Sequence, residues 1–210
     1  MTQPARNTVA RRNFLAGLAA IALAGCERPA AVVHSPRGGP FYATEVGGVD
    51  WGRSLELADP TGRRRTLADF RGKVVVLFFG FTNCPDVCPT ALADLAWVVE
   101  RLGADGARVQ VLFVTVDPER DTAAVLEKYV TAFHPSFIGL RGSADETARS
   151  AAEFKVHYER RRAHGSPSAA VDHTSGIFIF DLAGRLRLYA GAHGRSVERL
   201  ARDIGRLLRS

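Results

Sequence analysis

Two cysteines, Cys84 and Cys88, stand four residues apart in FTNCPDVCPT, residues 81–90 of a 210-residue chain. That spacing at the start of a helix can set both sulfurs on one side, near enough to share a metal ion or to close a disulfide. A helix start also favours thiolate over thiol, because its unpaired N–H groups and dipole stabilise negative charge. Pro85 and Pro89 stiffen the segment and suit entry into a first turn. The extra residue relative to Cys-x-x-Cys leaves metal binding and redox exchange both open. Inert buried thiols or a purely structural disulfide are the third reading.

Two thiolates are too few for a stable metal site, so a third ligand is sought among the six histidines. His134 before Pro135, and His157 and His164 in an Arg-rich excursion, read as surface residues. His34 lies in a Pro- and Gly-rich stretch, and His193 in a loop before the last helix. His173 differs by position, four residues before a strand expected to start at Ile177. If that strand runs antiparallel to residues 73–80, its beginning lies at the edge that holds the cysteines. Two thiolates and one imidazole make a soft, low-coordinate set that suits Cu(I), whereas Zn(II) usually wants a fourth ligand. Asp86, between the cysteines, and Asp117, closing a second strand, are candidates to orient His173 or a partner. Helix capping and turn formation before Pro118 are their simpler roles.

Residues 73–80 and 109–116 are continuous apolar runs of the kind buried on both faces of a parallel sheet. Between them Leu92, Leu95, Val99 and Leu102 recur at helical spacing, and Gly103 is a helix stop. Strand, helix, strand makes a parallel crossover. Asp121-Thr122 can cap a helix running to about Phe133, and Ser143 another to about Phe154. Residues 177–180 and 186–189 flank the turn Asp181-Leu-Ala-Gly184, a hairpin, before a last amphipathic helix with Val197, Leu200, Ile204, Leu207 and Leu208. Residues 54–62 suggest an N-terminal hairpin. The pattern by itself supports α/β with a mixed central sheet; parallel crossovers with an appended antiparallel hairpin point further to a three-layer, thioredoxin-like domain with an N-terminal hairpin extension.

With 46% hydrophobic and 24% charged residues, one compact domain is expected, not a disordered or disulfide-stapled chain. No stretch approaches the roughly 20 apolar residues that span a bilayer. The formal charge of +6 includes Arg6, Arg11 and Arg12, without which the balance falls to +3. The Arg63–Arg65 and Arg160–Arg162 runs read as solvated loops with no interleaved aromatics, so nucleic acid is not an expected partner. Residues 1–25 read as an export signal: RRNFL (11–15) is twin-arginine-like, with Ala10 and Ala16 departing from that pattern, and a Sec signal is the competitor. LAGC (23–26) resembles a lipobox that would leave a lipidated Cys26, the competing reading being a plain signal with a chance cysteine. Residues 26–40 form a tether whose fourteen residues after Cys26 reach roughly 45 Å extended, and residues 41–210 form the domain.

Three motifs, GFTNCPDVCPT (80–90), TVDPERDT (115–122) and VDHT (171–174), resemble the signatures of the Sco/SenC family of copper proteins. Thr174 stands where members often have Ser. The resemblance runs from about Phe41 to the last helix. It implies a thioredoxin-like fold, a membrane anchor, and copper, as Cu(I) and also Cu(II), held by Cys84, Cys88 and His173. It further implies a role in maturing the dinuclear copper site of cytochrome c oxidase, with that oxidase's copper-bearing subunit as partner. The protein would either carry copper or act as a thiol-disulfide oxidoreductase on that site's cysteines, exchanging with other periplasmic copper carriers or thiol reductases. The expected location is the periplasmic face of the cell membrane.

Overall fold

The computed structural model describes residues 40–161, 170–173, 176–191 and 196–210, with side chains left out for 159–175. Residues 1–25, expected to be an export signal, and Cys26, His34, His164, Thr174 and His193 lie outside the described residues, as does the side chain of His173.

The long apolar runs are the two central strands, β4 (Val74–Gly80) and β5 (Val109–Thr115), following the short β1 (Thr44–Glu45), β2 (Glu56–Ala58) and β3 (Arg64–Thr66). Every residue of β4 and β5 is buried, which requires cover on both faces. They pair in parallel from Val74 opposite Val109 to Gly80 opposite Thr115, and β5 pairs in parallel with β6 (Ile138–Leu140). On the other side β9 (Gly176–Phe180) runs antiparallel to β4, with Ile177 opposite Phe78, so β9 starts at the edge where β4 ends. Then come β10 (Leu186–Gly191) and β1, giving the order β1-β10-β9-β4-β5-β6.

One face of β4 and β5, with Val76, Phe78, Val111 and Phe113, packs under α1 (Val87–Arg101), α2 (Ala123–Thr131) and α4 (Val197–Leu207). The opposite face, with Leu77, Phe79, Leu112 and Val114, meets Ala151 and Phe154 from α3 (Ala144–Glu153) and its C-cap, and Leu57 and Leu67 from the hairpin region. This is the expected three-layer, thioredoxin-like arrangement with its N-terminal hairpin, β2 pairing antiparallel with β3. Thr122 and Ser143 cap α2 and α3 by accepting the N–H groups of Val125 and Glu146, and α1 ends ahead of Gly103, whose φ is +58°.

Two expectations are corrected. The Arg63–Arg65 run is not a free loop: Arg64 and Arg65 lie in β3, where Arg64 pairs with Glu146 at 2.7 Å and Arg65 with the buried Asp59 at 2.8 Å. Likewise Arg160 and Arg161 belong to β7 (Tyr158–Arg161), which pairs antiparallel with β8 (Ala170–His173). Backbone pairing across a long hairpin builds that strand, and the side-chain pattern carries little sign of it.

Two buried carboxylates hold the fold's margins. Asp203 of α4 accepts the backbone N–H of Tyr42 at 3.0 Å and of Ala43 at 2.8 Å, clamping the chain as it enters β1. Asp181 organises the β9–β10 turn, accepting the N–H groups of Ala183 and Arg185 at 3.0 Å and the guanidinium groups of Arg185 and Arg187. Burial alone would raise the Asp181 carboxyl, but the Arg185 and Arg187 hydrogen bonds outweigh it and hold it below the ordinary carboxylate value. A lowered native pKa gives stability that is present at neutral pH and is lost as pH falls through the carboxylate range. Asp181→Asn is therefore expected to cost about 2 kcal/mol at neutral pH. The gap from wild type should close below about pH 4 in urea unfolding followed across pH.

Candidate metal and thiol site

Beyond Gly80 the chain turns, the Cys84 N–H reaching the Phe81 carbonyl at 3.2 Å, and enters α1 at Val87. The two cysteines meet there as free thiols. The Cys88 N–H, in the first turn of α1, points at Cys84 Sγ 3.4 Å away. Cys84 is half-buried, while Cys88 is sealed in the core. The expected helix-start preference for thiolate does not prevail at Cys88. Burial pushes its thiol up, the neighbouring Cys84 and the charge of Asp121 add to the rise, and a hydrogen bond with the Phe81 backbone opposes it.

Gly80 makes room for this packing, since a Cβ there would lie 2.8 Å from both Cys88 Sγ and the Phe113 ring. Asp86 is exposed at the N-cap of α1, and its carboxylate accepts the Thr90 hydroxyl at 3.4 Å. Asp117 is buried, pairs with Arg120, and has its N–H held by Thr115 Oγ1 at 3.0 Å, which makes it part of the turn before Pro118.

The carboxylate that ties the cysteine segment to the neighbouring strand is Asp121, which sequence reasoning placed only at a helix cap. It is buried and accepts the Thr82 N–H at 3.1 Å, the Thr82 hydroxyl and the Thr115 hydroxyl. Among the described residues no cation is paired with it. The signal available in the sequence was a threonine just past the end of one buried strand and another at the end of the next, both able to face a single acceptor.

Among the described residues no three His, Cys, Asp or Glu side chains converge as a metal cluster. For His173 the described part is the backbone alone. That residue ends β8 opposite Tyr158, which packs in the core cluster that Phe81 and Cys84 also contact, and β9 begins at Gly176. His157 is exposed, and half-buried His134 has its Nδ1 2.8 Å from Ser136 Oγ, so neither joins the cysteines.

Residues 44–209 match the family model described as SCO1/SenC. The chain belongs to this family. Over 154 residues it is 41% identical to "Protein SCO2 homolog, mitochondrial" of Bos taurus, covering 72% of this chain and 58% of that protein. The match thus spans under two thirds of that curated relative's length. Among solved structures it is similar to apo Sco1 from Thermus thermophilus, with 40% identity, a TM-score of 0.72, and coverage of 82% of this chain and 100% of that one. Bradyrhizobium japonicum ScoI with copper bound is 34% identical with a TM-score of 0.67, covering 77% of this chain and 99% of that one.

The burial difference within the pair gives an ordered reactivity. Alkylation of the reduced protein, followed by peptide mass spectrometry, should label Cys84 at least about tenfold faster than Cys88. Asp121→Asn, which loosens the Thr82 tie, should cost about 1–3 kcal/mol in urea unfolding and speed labelling of Cys88.

Proposed function

We propose that this protein is a copper carrier in which reduced Cys84 and Cys88, together with His173, hold one copper ion and pass it to the dinuclear copper site of cytochrome c oxidase. The observation that carries the reading is the close approach of the two cysteines, with no disulfide between them, at the start of α1, where the Cys88 N–H is directed at Cys84 Sγ. The donor set fits the cargo. Two sulfurs and an imidazole suit a soft, low-coordinate ion, and the relative from Bradyrhizobium japonicum was solved with copper bound. Three ligands can be exchanged one at a time against an acceptor's ligands, which a closed four-ligand cage resists. Half-buried Cys84 is the sulfur an acceptor meets first, while Cys88 keeps its hold from inside the core.

Lipidation at Cys26, with residues 26–40 as tether, would keep the domain on the extracytoplasmic face of the membrane that holds its client. A second reading rests on the same two free thiols: a thiol-disulfide oxidoreductase for the client's cysteines. There the pair closes its own disulfide, and its two electrons and two protons reduce the disulfide of the acceptor.

Copper titration of the reduced protein is expected to show one ion per chain. His173→Ala should weaken binding about tenfold or more, and Cys84→Ser or Cys88→Ser should abolish it. Undiminished binding by His173→Ala, or no tight copper at all, overturns the carrier. Disulfide reductase activity that survives His173→Ala and vanishes in either serine variant favours the second reading.

A further inference from the structure

Among the described residues, the phenol of Tyr129 is a buried polar group near the cysteines with no hydrogen-bond partner. Its oxygen is sealed from solvent and makes no hydrogen bond, although buried tyrosine hydroxyls ordinarily find one. Tyr129 sits on α2, the helix that begins just after Asp121, so the carboxylate that grips Thr82 also sets this helix beside the cysteine segment. Its ring packs against Phe113 at 5.6 Å and Phe133 at 5.4 Å between centroids. Phe113 in turn borders Gly80 together with Cys88 Sγ, and Cys84 packs on the same core cluster as Tyr129. Burial pushes the phenol up, and negative charge on the neighbouring Asp121, or on the sulfurs once deprotonated, adds to the rise. The oxygen therefore keeps its proton at neutral pH and remains a donor.

We propose that the Tyr129 hydroxyl is a hydrogen-bond donor to the Cys84–Cys88 sulfur pair in its copper-bound, doubly deprotonated form. The inference rests on the copper reading above. Two thiolates around one Cu(I) leave a net negative charge in a compartment that already holds buried Asp121. A neutral O–H stabilises that charge without adding another, and donors to thiolate sulfur strengthen metal retention and tune its redox balance. A phenol oxygen is a hard donor, poorly matched to Cu(I), so Tyr129 acts on the sulfurs and is not a ligand.

The test compares Tyr129→Phe with wild type in the full chain, both carrying Cys26→Ser so that only the pair supplies thiols. Competition with a chromophoric Cu(I) chelator should show about tenfold weaker binding in Tyr129→Phe. The sulfur-to-copper charge-transfer band of the Cu(II) form should move to lower energy. The metal-free unfolding temperature should stay level or rise, because the variant removes only an unpartnered hydroxyl. Equal Cu(I) affinity with an unmoved band overturns the proposal, as does a loss of copper accompanied by a lowered metal-free unfolding temperature. If wild type binds no copper, the carrier reading and this proposal fall together. If wild type binds and Tyr129→Phe matches it, the tyrosine proposal alone fails.

Discussion

The site depends on one buried carboxylate. β4 and β5 end side by side, and the Val116 N–H still reaches the Gly80 carbonyl at 2.8 Å, but beyond that the two chains diverge. One continues to the cysteines and the other through Asp117 to α2. Asp121 spans the gap by accepting from Thr82 on one side and Thr115 on the other. Its own backbone carbonyl receives the Arg141 guanidinium at 3.2 Å, which links the junction to the chain just past β6. Hydrogen bonds in such a buried spot are stronger than at the surface, and an unmatched donor there is correspondingly expensive. The entry to the cysteine segment, the end of β5 and the start of α2 are therefore held by one set of bonds.

Much of this fold was legible before any coordinates. Residues 73–80 and 109–116 announce themselves as central strands because only a strand covered on both faces can be apolar throughout. The helix caps Thr122 and Ser143 are readable from residue type and position. What escaped was built by backbone pairing. β6 has three residues at the far edge of the sheet, and β7 presents Tyr-Glu-Arg-Arg, with no apolar alternation to mark a strand. At the site, the cysteine pair stood out because chemistry singles it out. Asp121 did not, since an aspartate next to Thr122 already has a sufficient local role at a helix start, and its burial against Thr82 and Thr115 belongs to tertiary structure alone.

The same distinction separates the two thiols. By sequence they are alike, two cysteines beside prolines in one loop. In the fold one borders solvent and the other lies on the buried face of α1 near Phe113, with Gly80 emptied of a side chain to admit it. Burial opposes the helix-start field at Cys88 and wins, so its sulfur sheds a proton readily only when something positive arrives to compensate. A cation bound there would displace the Cys88 proton.

The Asp203 clamp has a mechanical consequence. Tyr42 and Ala43 are pinned to α4 by their own backbone N–H groups, Arg206 grips the Pro40 carbonyl, and Thr44 pairs with Tyr189 in β10. A pull from the preceding chain is thus taken up by α4 and the β1 margin of the sheet. The cysteine segment hangs from β4, separated from that margin by β10 and β9. A force applied to the preceding chain would therefore enter the sheet at β1, with two strands between it and the strand that leads to the sulfurs.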